Sequence, residues 1–188
     1  MDSGSVFFIC GVSGCGKSTI GQLLAEKLNI EFIDGDDFHP KANVDKMASG
    51  IPLTDEDRVG WLEAIHSYVS QKKHSLVVAC SALKEKYRTV LRGELDTPMH
   101  WIFLTGSYEL ILSRIKARKG HFMPEDLLQS QFDILEVANY AHQIDINNTK
   151  EDIVQQIIQK TKMKNQLGLI GLGVMGKSLS RNFASHGL

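Results

Sequence analysis

Cysteine is scarce in this chain. The three present, Cys10, Cys15 and Cys80, are odd in number and lack paired metal-ligand spacing, which argues against a disulfide framework and for reduced thiols in a cytosolic compartment. Excess charge of either sign is missing too: 21 Lys and Arg face 22 Asp and Glu, a formal net charge of -1. With no global basic field a nucleic-acid partner is not expected, and any phosphate must be held by a local site. No apolar run approaches the ~18 residues of a membrane span, and Met1 to Ser5 lacks the basic stretch that opens a signal peptide. No membrane partner is expected, and a cytoplasmic location is. Internal repeats and low-complexity stretches are also lacking. What the 188 residues hold, at 43% hydrophobic, is material for one full core: one domain and a fragment.

The chain is organised around Gly11-Val12-Ser13-Gly14-Cys15-Gly16-Lys17-Ser18, a glycine, four free positions, then Gly-Lys-Ser. Before it, Val6 to Cys10 reads as a buried strand. After it, Thr19 to Leu28 carries Ile20, Leu23, Leu24 and Leu28 at helical spacing. Glycines let consecutive backbone N–H groups curl around phosphate oxygens, and the helix that follows adds its positive N-terminal end. Residues Gly11 to Thr19 are therefore the expected nucleotide cradle. Lys17 would bridge the outer phosphates, and the Ser18 hydroxyl would ligate magnesium.

Strands and helices alternate through the rest of the chain, which predicts an α/β fold of the P-loop NTPase class with a five-stranded parallel sheet flanked by helices. A second strand, Glu31 to Asp34, ends in an acidic turn. There Asp34 and Asp36 can face the phosphates beyond the strand ends, or simply form a solvated turn. Helices are expected over Lys41 to Ala48 and from the Thr54 cap onward, the latter with Val59, Leu62, Ile65, His66 and Val69 on one face. His66 reads as a packed histidine rather than a ligand. Arg58 lies near the start of that helix, where a cation opposes the dipole; this hints at a functional task, with a surface arginine as the alternative. The third strand, Leu76 to Ser81, leads into an expected helix over Ala82 to Arg92. Lys84 and Arg88 share a face of it and either meet an anionic substrate or are solvated. A fourth strand, His100 to Thr105, precedes a helix that ends in the basic cluster Arg114 to His121, suited to a mobile lid over phosphates. A helix from Pro124 to Val137, a fifth strand near Ile144 to Ile146 and a helix from Lys150 to Thr161 complete the pattern.

Residues Lys160 to Gln166 read as a linker. Leu167 to Ile170 is strand-like, and Gly171-Leu172-Gly173-Val174-Met175-Gly176 matches the dinucleotide fingerprint, followed by a helical stretch from Lys177 to Ala184. The expected division is a P-loop domain over residues 1–164 and a linker with a truncated Rossmann βα unit over 165–188.

Beyond these patterns, the region from Val6 to Lys160 resembles the gluconokinase family of small-molecule kinases. The matching pieces are Asp34-Gly35-Asp36 with His39-Pro40, Lys46 to Arg58, Cys80 to Lys84 with Tyr87-Arg88, Arg118 to Met123, and Ser130-Gln131. Val137 departs from the pattern, since family members usually have a proline there. The resemblance implies a shikimate-kinase-like fold, often a homodimer, that uses ATP and Mg2+ to phosphorylate the 6-hydroxyl of D-gluconate. It implies catalytic roles for Lys17, Asp36 and Arg118, with Asp36 orienting the acceptor hydroxyl. Arg114 is expected against adenine and Arg118 against phosphate. Asp36, His39, Arg58, Ser81, Lys84, Arg88 and His121 are expected around the substrate, with Arg58 suited to its carboxylate by bidentate geometry. The tail from Leu167 resembles the start of 6-phosphogluconate dehydrogenases, which implies a natural fusion with a missing downstream domain, a cloning boundary or a misassembled gene. Competing readings are another small-molecule kinase of the shikimate or nucleoside-monophosphate group, an NADP-dependent oxidoreductase, and a nucleotide-dependent binding module without catalysis.

Overall fold

The computed structural model describes residues 4–117 and 125–161. Its centre is β1 (Val6–Cys10), where Val6, Phe8, Ile9 and Cys10 are buried, the mark of a strand covered on both faces. Parallel partners flank it: β3 (Leu76–Ala79) on one side and β4 (Met99–Thr105) on the other. β2 (Glu31–Asp34) extends the sheet beyond β3 and β5 (His142–Asp145) beyond β4, giving the order β2-β3-β1-β4-β5, all parallel. The five-stranded parallel sheet expected from the alternation is present.

Helices cover it. α1 (Lys17–Leu28) packs against β1, β2 and β3 through Ile20, Leu24 and Ala25, and stops at Asn29 in the left-handed conformation. α2 (Lys41–Ala48) spans the expected residues. α3 (Asp55–Ser70) starts at a full capping box in which Thr54 and Asp57 satisfy each other's backbone N–H groups. Its buried residues are Trp61, Leu62, Ile65 and Val69, whereas Val59 is exposed. At its N-terminal end the inward face is therefore carried by Trp61, two positions on from the expected Val59. His66 is a packed histidine whose Nδ1 meets the Leu91 carbonyl at 3.1 Å.

α4 (Glu85–Arg92) begins three residues later than expected, because buried Ala82 adopts φ 41 and carries the chain out of β3 in a turn that is not helical. α5 (Tyr108–Ala117) and α6 (Glu125–Asp133) pack on each other, and α6 ends short of the expected Val137. A last helix, α7 (residues 150–161), buries Ile153, Val154 and Ile157. The expected lid with Arg118 and His121, and the expected βα unit over 165–188, lie outside the described residues. Among the described residues no helix is long and apolar enough to cross a membrane.

Candidate active site

Adjacent parallel strands deliver their loops to one edge of a sheet, so β2, β3 and β1 bring three loops together beyond their carboxyl ends. The loop after β1 is the expected phosphate cradle. Gly14 has φ 81 there, and a Cβ on it would meet Ile115 of α5 at 2.5 Å, so no other residue fits unstrained. Gly16, at φ 104, is the N-cap of α1 and offers no side chain, leaving the first helical N–H groups uncapped. Lys17 curls back over the loop, its Nζ donating to the Val12 carbonyl at 3.2 Å. Ser18 and Thr19 follow in the first turn, half-buried. Cys15 faces inward at 1% exposure, and burial pushes its thiol up, so it stays a protonated packing group.

The loop after β2 is a short 3-10 turn, Gly35–Phe38, closed by Asp34, whose carboxylate accepts the Asp36 N–H at 3.1 Å. That leaves the Asp36 side chain 73% exposed and pointing out of the fold. His39 is stacked on Trp61 of α3, centroids 4.2 Å apart and planes within 14°, and the Trp61 indole N–H is tied to the Gly35 carbonyl at 2.6 Å. Burial lowers the His39 pKa, opposed by Asp36 and aided by Arg58.

The loop after β3 runs beside the cradle, with the Ser81 carbonyl accepting the Gly11 N–H at 3.3 Å. Beneath these loops lies Cys80. Burial pushes its thiol up to about 12, and the group feels Lys17, Asp36 and Asp34 at once.

Two expected cations are placed differently. Lys84 precedes α4 rather than riding on it, and its Nζ pairs with Asp55 at 3.1 Å. The same carboxylate receives Lys86 and the Tyr87 hydroxyl, and together Lys86, Tyr87 and Lys84 hold Asp55 well below the usual carboxylate range. Arg88 does not share a solvent-facing surface with Lys84: it is 1% exposed and turned into the core. Its donors reach Glu85 at 2.7 Å, the Ala82 carbonyl at 2.7 Å and the Tyr140 hydroxyl at 3.1 Å, and its guanidinium lies over Phe103. A buried, fully engaged guanidinium holds the turn at Ala82, so the expected substrate contact by Arg88 is corrected to a structural one. Arg58 sits over the Tyr87 ring at 5.5 Å and donates from Nη1 to the Leu53 and Thr54 carbonyls, with no carboxylate in ion-pair range among the described residues. Arg114 reaches from α5 to the Ile146 carbonyl just past β5 at 2.8 Å.

Two further side chains, given no role by sequence reasoning, belong to this edge. Gln131 of α6 accepts the Ser13 N–H of the phosphate loop at 2.7 Å; its signal was its place in the Ser130-Gln131 pair. Asn43, the buried residue of α2, carries no sequence signal. Among the described residues no three His, Cys, Asp or Glu side chains converge as a metal cage. The oxygen donor at Ser18 instead fits magnesium brought in largely with phosphate oxygens and water.

Residues 13–162 match the shikimate kinase family. The chain is 46% identical over 164 residues to the thermosensitive gluconokinase of Escherichia coli strain K12, covering 84% of this chain and 87% of that protein. A gluconokinase crystal structure from Sinorhizobium meliloti 1021 superposes with a TM-score of 0.80 at 38% identity, over 89% of this chain and 97% of that one. The shikimate kinase of Aquifex aeolicus vf5 shares the fold at 20% identity, with a TM-score of 0.57 over 87% of this chain and 99% of that one.

Proposed function

This chain belongs to the gluconokinase branch of the shikimate kinase family, and on that premise we propose that it transfers the γ-phosphoryl group of ATP to the 6-hydroxyl of D-gluconate. The observation that carries this reading is the strand order β2-β3-β1, which brings the phosphate cradle after β1 and the exposed Asp36 carboxylate after β2 to the same edge of the sheet.

Bound ATP with magnesium supplies the phosphoryl group. The backbone N–H groups from Gly14 to Thr19 and the uncapped start of α1 take up its phosphate charge, and the Lys17 ammonium leaves the Val12 carbonyl for the outer phosphates. Ser18 offers the protein oxygen for the metal. Asp36 accepts the hydrogen bond of the attacking hydroxyl. A loose phosphoryl transition state asks for orientation more than for a strong base, so an exposed carboxylate is sufficient. Arg58 is the best cation for the gluconate carboxylate, since Lys84 is paired with Asp55 and Arg88 is buried. Ser81, whose carbonyl accepts the Gly11 N–H of the cradle, is assigned to the substrate. Arg114, held at the end of β5, is assigned to the adenine side, and Arg118 and His121 to phosphate and polyol. The homodimer, the cytoplasmic location and the division between residues 164 and 165 belong to the same proposal.

A coupled ADP-release screen over gluconate, other sugar acids, shikimate and AMP tests it. Gluconate is expected to be the preferred acceptor, with Lys17→Ala abolishing turnover in a folded chain. Preference for another acceptor, or near-normal turnover without Lys17, overturns the reading.

A further inference from the structure

Asn43 is 3% exposed, although its neighbours Ala42 and Val44 on α2 face solvent. A buried amide has to spend its hydrogen bonds inside the protein. Its Nδ2 donates to the Asp57 carbonyl at 2.7 Å and lies 3.4 Å from His39 Nδ1. The first contact decides the second. A carbonyl oxygen can only accept, so the amide must turn its NH2 group toward Asp57, and a flipped amide would set two oxygens against each other. The remaining hydrogen of that NH2 then faces His39 Nδ1, which must present a lone pair.

We propose that Asn43 is a positioning residue of the acceptor site: it locks His39 in the tautomer protonated on Nε2, so that the imidazole offers an N–H to the Asp36 carboxylate. This rests on the reading of Asp36 as the group that orients the acceptor hydroxyl. Both ends of the relay are anchored. The Asp57 backbone is held by the capping box and by the Lys46 ion pair at 2.8 Å. The imidazole cannot turn, because it is stacked on Trp61, whose own N–H is fixed to the Gly35 carbonyl. Burial, which disfavours the imidazolium, agrees with a neutral ring.

His39 Nε2 is 4.0 Å from Asp36 Oδ1, a gap that a small rotation of the exposed carboxylate closes when substrate arrives. One carboxylate oxygen is then engaged by His39 and the other is left for the 6-hydroxyl. The other tautomer would face Asp36 with a lone pair and push the carboxylate away. At 5% side-chain exposure His39 has little surface for the sugar itself, so it acts through Asp36.

The test uses the full chain labelled with 15N-histidine. Long-range 1H–15N spectra at pH 7, with His39→Gln identifying the His39 signals, are expected to show a neutral ring protonated on Nε2. Asn43→Leu is expected to lose that preference and lower kcat for gluconate roughly tenfold or more, with the ATP KM unchanged. His39→Gln, whose amide can place an N–H near the Nε2 position, is expected to keep clearly more activity than His39→Asn. Wild-type His39 protonated on Nδ1 or on both nitrogens, equal impairment by Gln and Asn, or a folded Asn43→Leu chain with unchanged kcat overturns the proposal. Should Asn43→Leu fail to fold, the wild-type spectrum and the Gln and Asn pair decide. A wild-type chain with no gluconate-dependent ADP release overturns the kinase reading and the positioning role with it, while the tautomer is still read independently.

Discussion

Replacing Arg88 by alanine separates a structural arginine from a substrate-binding one. The side chain is 1% exposed, and its removal strands the buried Ala82 carbonyl, which accepts from Nη1 at 2.7 Å. An unpaired buried carbonyl costs about 1–3 kcal/mol. The void beside Phe103 adds about 2 kcal/mol, by analogy with other large-to-alanine changes in cores. Glu85, the ion-pair partner, keeps a side chain 47% exposed and regains water, so it adds little. The sum is about 3–5 kcal/mol, which for a domain of this size lowers Tm by roughly 10–15 °C. Arg88→Lys retains one donor for Ala82 without the fork that grips Glu85, and should fall between the two. Scanning calorimetry supplies Tm, and steady-state kinetics well below it supplies KM. The gluconate KM is expected to stay within roughly twofold, because the lost contacts are internal. An Arg88→Ala chain with Tm lowered by less than about 2 °C and a gluconate KM raised more than roughly tenfold would refute the reasoning and return Arg88 to the substrate.

Asp36→Asn should lower kcat far more than it weakens ATP binding, as single-turnover kinetics and titration would separate; a loss confined to ATP affinity would move Asp36 to the metal. Arg58→Lys should raise the gluconate KM, since a point charge replaces a planar fork, and a larger effect at Lys84 would shift the carboxylate site to the turn before α4. Glu31, bonded by the Tyr68 hydroxyl, Lys72 and His74, has its pKa lowered from 4.5 to about 2. A depressed carboxylate stabilises the fold above pH 4.5 and loses that contribution as pH falls toward 2. Glu31→Gln should therefore cost about 1–2 kcal/mol at neutral pH after solvent screening, and nothing near pH 2; a pH-independent cost in urea melts would contradict this. Removing residues 167–188 should leave turnover and Tm nearly unchanged, because the family match ends at residue 162; a large drop in either would mean that the domain extends further.

The phosphate loop was legible because strand, glycines, Lys-Ser and helix are all local signals, and the Thr54-Asp57 cap was legible for the same reason. Long-range arrangement was not. Nothing local says that β3 lies between β2 and β1, although this order is what lays the acidic turn beside the loop. The helix after β3 was expected too early because Ala82 adopts a left-handed conformation that alanine does not advertise. That error carried Lys84 and Arg88 onto one imagined face. Val59 fits helical spacing, yet its side chain is exposed while Trp61, two residues on, turns inward and stacks on His39. Asn43 escaped notice because a polar residue on a short polar helix looks solvated until the Asp57 carbonyl and His39 are seen beside it.

The position of β1 has a consequence for how the protein is made. Val6 is synthesised well before its partners, Leu76 in β3 and Met99 in β4. The middle of the sheet therefore cannot close until synthesis has passed β4, which ends at Thr105, and the phosphate loop hanging from β1 lacks its full scaffold before then. During that interval Phe8 and Ile9, fully buried in the finished protein, are uncovered on the nascent chain. ATP can stabilise the domain only after β4 has docked, so nucleotide protects the completed fold and gives no help to its early intermediates.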